Sequence, residues 1–224
     1  MFSSTEVFEE GTGLDEMSAR AYMFVLGLYV TGGLAVSAYV ASLTYTWQVT
    51  NIWLFLLIGL VIPIIGIVIS AKSENWLIST FGYAMVFVPF GAILGPVVAL
   101  YQMESVIQAV VVTLVLSAGL WIVGTLIPPI VSNWTSYIIG ALLVLIAGDL
   151  ARGLMPLFGL HPVTLGVWPW VGIVLFSGLI VYDVNKAMQM PKNLDNAVDG
   201  AVALYLDVVN IFIRVLEIMG KKDD

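Results

Sequence analysis

The chain has 224 residues, of which 60% are hydrophobic and only 10% charged, with a mean hydropathy of +1.03 and a formal net charge of −7; a soluble domain carries roughly 25% charged residues. This is the composition of a polytopic membrane protein, and its acidic balance argues against a nucleic-acid partner. The absence of cysteine rules out disulfides, thiolate metal sites and cysteine nucleophiles.

Five of the fifteen acids (Glu6, Glu9, Glu10, Asp15 and Glu16) lie ahead of the first apolar run. Residues 1–19 therefore read as an acidic tail. No basic segment precedes that run, which predicts a retained first span and no cleavable signal peptide. A membrane helix needs about 20 apolar residues, and seven runs of that order follow: 20–46, 52–71, 76–101, 105–127, 134–152, 164–189 and 197–219. The expectation is an all-α membrane domain over residues 20–220, closed by a short charged tail at 221–224. The glycines of "VTGGLAV" and "FGAILGP" fall inside spans, where small residues permit close helix packing. Trp47, Trp53, Trp76, Tyr101, Trp134 and Trp168 lie near span ends and are expected to anchor at the interfaces. With the N-terminus in the cytoplasm, Arg20, Lys72, Lys186 and Lys192 fall inside against Arg152, Lys221 and Lys222 outside, the arrangement favoured by the positive-inside rule.

Charges within spans are costly in hydrocarbon and mark functional candidates. Glu104 opens the fourth span, and Asp149 closes the fifth beside Arg152; both are read as structural. Asp195 or Asn196 is expected to cap the last helix, with Asp199 in its first turn. Asp183 and Asp207 lie deeper, at comparable depth on two helices joined by a short loop, which makes those helices antiparallel neighbours. Two carboxylates facing each other cannot both ionise cheaply, so a shared proton would turn the pair into a proton-controlled latch. Asp207, Asn210, Arg214 and Glu217 are spaced by three, four and three residues and form one polar stripe. A helix that carries such a stripe belongs in the bundle interior beside a cavity that admits water or ions. The competing reading is a satisfied network, with Arg214 paired to Glu217 and Asp207 bonded to Asn or Tyr groups.

Enzymatic readings fare poorly. "VYD" matches half of an intramembrane aspartyl protease site, but "LYLD" replaces the Gly-x-Gly-Asp of the other half. The single histidine, His161, is expected in a loop, away from any serine it could activate. No paired His and acid spacing suggests a metal-dependent enzyme.

"LIVYDVNKAM" followed by "DGAVALYLDVVNIFIRVLEIMG" resembles the C-terminal signature of the Bax inhibitor-1 (transmembrane Bax inhibitor motif) family. The likeness is specific over residues 178–220 and is supported by the seven spans and by the texture of "YAMVFVPFGAILGP". The resemblance implies a bundle in which the last helix is central and wrapped by two three-helix layers. It also implies a pH-sensitive calcium leak channel, with Asp183 and Asp207 as the pH-sensing pair and as the point of contact for calcium or protons. A basic residue at the end of the second helix would bond to that pair, and Lys72 occupies this place as a point charge. Asn210, Arg214 and Glu217 are the expected pore or stripe residues. The implied partners are the lipid bilayer, calcium ions and protons, with no cofactor. The expected location is a prokaryotic plasma membrane, in keeping with the small size of the chain. The alternatives are a cation/proton exchanger using the same acids and a non-conducting regulatory scaffold.

Overall fold

The computed structural model describes residues 17–47, 51–129, 135–159 and 166–222. Residues 1–16 of the acidic tail, His161 and Trp134 lie outside the described residues. The elements are α1 (Ala19–Thr44), α2 (Ile52–Leu56), a π-helical turn (Leu57–Val61), α3 (Ile62–Lys72), α4 (Trp76–Val98), α5 (Met103–Leu126), α6 (Thr135–Leu154), a 3-10 turn (Met155–Phe158), α7 (Trp168–Gln189) and α8 (Leu194–Met219). With α2, the π turn and α3 taken as one span, these elements follow the seven apolar runs. Among the described residues there is no strand, only an isolated bridge between Tyr101 and Lys222. Among the described residues, five helical segments are long and apolar enough to cross a membrane: α1, Trp53–Lys72, α4, α5 and α7. α6 and α8 fall outside that set, and they carry Asp149, Arg152, Asp207, Arg214 and Glu217.

Local chemistry sets the helix ends and the break in the second span. Ser18 caps α1 by accepting from the Ala21 amide at 3.2 Å, Asn51 caps α2 through Trp53 and Leu54, and Asn75 accepts from the Leu77 amide at 2.9 Å at the start of α4. Each side chain satisfies an amide that has no partner within its helix. Pro63 lacks the N–H that would reach the Gly59 carbonyl one turn back, and the π turn over Leu57–Val61 absorbs that break.

The chain divides into two compact units, one within 1–96 and 187–205 and the other within 97–186 and 206–224. In the first unit, small residues bring backbones together. A Cβ on Gly66 would meet the Gly82 carbonyl at 2.5 Å, and one on Gly91 would meet the Ser37 carbonyl at 2.7 Å. α3 and α1 therefore both pack tightly on α4, as glycine-lined membrane interfaces do. Of the glycines expected to play this part, Gly33, Gly91 and Gly95 do so, whereas Gly32 faces open space. An aromatic cluster completes this unit. The ring of Tyr205 lies edge-on to Tyr83 at 5.7 Å and to Phe90 at 6.4 Å, and its hydroxyl bonds to Ser37 Oγ at 2.6 Å.

The cap of α8 differs from the expectation. The helix starts at Leu194, and the Asn196 amide donates to Asn193 Oδ1 at 2.8 Å, so Asn193 is the N-cap in place of Asp195 or Asn196. This frees the two nearby acids for tertiary bonds. Asp195 accepts from Ser79 Oγ at 2.6 Å, and Asp199 accepts from Ser70 Oγ at 2.5 Å, which fastens the start of α8 to α4 and α3.

Candidate functional site

Pro191 ends α7, and the loop to α8 is only four residues long. Lys192 secures the turn. Its ammonium donates to the carbonyls of Met188 at 2.7 Å, Met190 at 2.5 Å and Ala187 at 3.3 Å. It also lies 5.1 Å from the Tyr22 ring centroid. A cation at a helix C-terminus meets the negative end of the helix dipole, and partial burial pushes the Lys192 ammonium below its ordinary value.

Within the second unit, Asp183 of α7 and Asp207 of α8 are brought together, their carboxyl groups close enough to interact. Two ionised carboxylates are acceptors only, so a hydrogen bond between them would require a proton. Asp207 is 5% exposed, Asp183 is half-buried, and Asp207 Oδ2 has no partner among the described residues. Asn185, two residues beyond Asp183, fixes this stretch of α7. Its Nδ2 donates to the carbonyls of Gly124 at 3.3 Å, Ile127 at 3.1 Å and Pro128 at 3.3 Å, satisfying the C-terminal end of α5. Gly124 permits the approach, since a Cβ there would lie 2.8 Å from Val184 Cβ.

Further along α8 the polar stripe resolves into two parts. Asn210 bonds to its own helix, donating to the Leu206 carbonyl at 2.8 Å. Arg214 and Glu217 join Asp149 and Arg152 of α6 in a four-charge network. Arg214 pairs with Asp149 and with Glu217 at 3.4 Å, while Arg152 pairs with Glu217 at 2.8 Å and with Asp149 at 3.9 Å. Trp168 Nε1 donates to Asp149 Oδ1 at 2.8 Å. A Cβ on Gly172 would meet Arg214 Nε at 2.7 Å, so α7 presents a bare backbone where the buried arginine passes. Two cations and two anions make the network neutral, the cheapest way to keep Arg214, 5% exposed, inside the protein. Sequence spacing paired Arg214 with Glu217 and Asp149 with Arg152. It did not reveal the two cross-helix bonds or the donor role of Trp168.

Lys72 ends α3 in the first unit, exposed, and enters no ion pair among the described residues. No group of three or more His, Cys, Asp or Glu side chains that could hold a metal ion occurs among the described residues.

Comparison with known proteins agrees with this architecture. The chain is 26% identical to the inner membrane protein YbhL of Escherichia coli over 98% of its own length and 97% of that protein. Shorter stretches match two Arabidopsis thaliana proteins. Protein LIFEGUARD 1 is 30% identical over 38% of the chain and 34% of its own length, and BI1-like protein is 33% identical over 30% and 26%. The model of the family Bax1-I, described as Inhibitor of apoptosis-promoting Bax1, matches residues 19–224. The chain is a multi-pass membrane protein that belongs to the Bax1-I family.

Proposed function

We propose that the protein is a pH-sensitive calcium leak channel that passes calcium down its gradient, gated by the Asp183/Asp207 pair. The observation that carries this reading is the close approach of two carboxyl groups on neighbouring helices, one of them on an aspartate that is only 5% exposed. Two carboxyls so placed can hydrogen-bond only while at least one of them is protonated, so the geometry and charge of the pair would follow pH. Deprotonation leaves two negative charges side by side and drives them apart, while full protonation removes the charge that a cation partner would hold. Lys72 is that partner in this reading; its part rests on the family resemblance and on its place at the end of α3.

The fold belongs to the same proposal. The last helix is taken as central and wrapped by two three-helix layers, in keeping with three spans and one part of α8 falling in each unit. The protein is placed in a prokaryotic plasma membrane by its likeness to an inner membrane protein. The four-to-three distribution of lysine and arginine slightly favours a cytoplasmic N-terminus. The protein is read as a conductor, without catalysis.

The test is calcium flux into liposomes carrying the purified protein, with and without an imposed pH gradient. Passive flux that changes with pH and needs no proton gradient is the expected result. Flux driven by the proton gradient would make the same acids the site of a cation/proton exchanger, and no flux would leave the protein a non-conducting regulator.

A further inference from the structure

Five buried side-chain polar atoms among the described residues have no hydrogen-bond partner, and all five belong to the second unit: Thr113 Oγ1, Ser117 Oγ, Arg152 Nε, Asp207 Oδ2 and Arg214 Nε. In the first unit the buried hydroxyls of Ser37, Ser70 and Ser79 all have partners. A hydroxyl in a membrane helix ordinarily bonds back to its own preceding turn. Thr125 does so within α5 itself, donating to the Ile122 carbonyl at 2.7 Å. Thr113 and Ser117 of the same helix do not. Each buried polar group left unpaired in a dry interior costs about 1–3 kcal/mol, and a run of them within one unit is the signature of a wetted interior.

The orphaned hydroxyls have a definite place. At 3.6 residues per turn, Thr113 and Ser117 each lie within about 20° of the direction of Gly124, whose face meets Val181 and Val184 of α7. At the other end of the same helix, Ser105 Oγ accepts from the Lys221 amide at 3.1 Å, just past the end of α8. The start of α5 therefore meets the end of α8. Counting from the contact between Ser105 and Lys221 at 1.5 Å per residue, Thr113 is about 12 Å deep and Ser117 about 18 Å. On α8, Arg214 is about 10 Å deep, Asn210 about 16 Å and Asp207 about 21 Å. Thr113 is level with Arg214, and Ser117 with Asn210.

We infer that α5 forms a wall of a water-filled passage, in which the Thr113 and Ser117 hydroxyls, on the face of α5 that turns to α7, lie at the depth of the polar stripe of α8 and hydrate a cation on its way to or from the acid pair. The hydroxyls offer oxygen to a cation without adding charge, which suits an ion that must be passed on and not held. The identity of the ion rests on the leak-channel reading; the presence of water does not.

The chain has no cysteine, so single thiols are diagnostic. In proteoliposomes, Thr113→Cys and Ser117→Cys are treated with the cationic reagent 2-(trimethylammonium)ethyl methanethiosulfonate and compared with Val115→Cys, which is 69% exposed on another face of α5, toward lipid. Only a hydrated thiol ionises and reacts, so residues 113 and 117 are expected to be modified at least about tenfold faster than residue 115. Modification should also lower calcium flux. Thr113→Val, which keeps the shape and removes the hydroxyl, should lower flux severalfold without changing the protein's elution as a monodisperse species. Equal, slow modification at all three positions in folded protein overturns the passage. Fast modification in a protein whose wild type passes no calcium upholds the passage and removes the leak-channel reading. Wild-type flux with unreactive thiols does the reverse.

Discussion

Removing the cation at the centre of the four-charge network tests whether that network holds α6 to α8. Arg214→Met keeps most of the stem and deletes the guanidinium that pairs with Asp149 and, at 3.4 Å, with Glu217. At 3.4 Å and an effective dielectric of about 20, one such contact is worth roughly 5 kcal/mol before desolvation. The carboxylate side chains are 35% and 30% exposed, so water screens part of that, and Arg152 remains at 2.8 Å from Glu217 to hold it. The expected loss is about 2–3 kcal/mol, below the roughly 3–5 kcal/mol of a fully buried pair that loses one partner. For a chain of this length that corresponds to a drop of about 4–12 °C in Tm. Asp149→Asn keeps an acceptor for Trp168 and leaves Arg214 with Glu217, so it should cost roughly 1–2 kcal/mol. Because both changes break the same contact, the double variant should fall short of the sum by about 1–2 kcal/mol. The assay is thermal unfolding in detergent, read as the fraction of protein that stays monodisperse, with Arg20→Met at an exposed position as control. Additivity within about 0.5 kcal/mol, or a Tm for Arg214→Met equal to that of the control, would refute the reasoning.

Asp207→Asn should abolish or shift the pH dependence of calcium flux, because an amide cannot share the pair's proton, whereas Asp195→Asn, still able to accept from Ser79, should leave that dependence intact; liposome flux across acidic and neutral pH decides between them. Lys72→Ala should raise calcium leak at neutral pH and flatten the rise expected in the wild type on acidification; equal flux in both proteins would reduce Lys72 to a topology signal. Lys192→Met removes three carbonyl contacts from the α7–α8 turn, each charge-assisted and partly exposed, and should lower stability by about 1–2 kcal/mol without altering the pH profile of flux; an unchanged melting curve would show that the turn holds without its ammonium.

The spans were readable because a bilayer imposes one length on every crossing helix, and the apolar runs have it. The acid pair was readable for a related reason. Two aspartates in apolar helices joined by a short loop have few places to go except toward each other, and Asp183 and Asp207 do meet. The network around Arg214 was only half readable. The spacing from Asp207 to Glu217 announced a single polar face, but Asp149 and Arg152 stand 65 residues from their partners in α8, and only the packing of α6 sets that register. Trp168 looked like one more interfacial anchor because an indole near a span end usually is one; its N–H gained a partner once Asp149 turned inward. The cap of α8 was misplaced because Asn193, Asp195 and Asn196 are all competent caps within four residues. Choosing among them depends on where Pro191 releases the chain and on the serines of α3 and α4 that claim the acids.

The two units use polar groups in opposite ways, and α8 contributes to both. Its first half enters the first unit with every acid answered, Asp195 by Ser79 and Asp199 by Ser70, and with Tyr205 tied to Ser37. That pattern fixes a helix in place. Its second half enters the other unit with a buried aspartate, one of whose carboxyl oxygens has no hydrogen bond, and a buried arginine balanced by two carboxylates. None of these groups improves packing over an apolar residue of the same size, since buried ionic groups return little net stability once desolvation is counted. A helix built only to close a bundle would carry leucine at positions 207 and 214. Apolar residues in place of the whole network and the acid pair would hold the bundle about as well, so these groups fit the proposed response of this half of α8 to protons and ions, anchored by a first half whose polar groups are tied down.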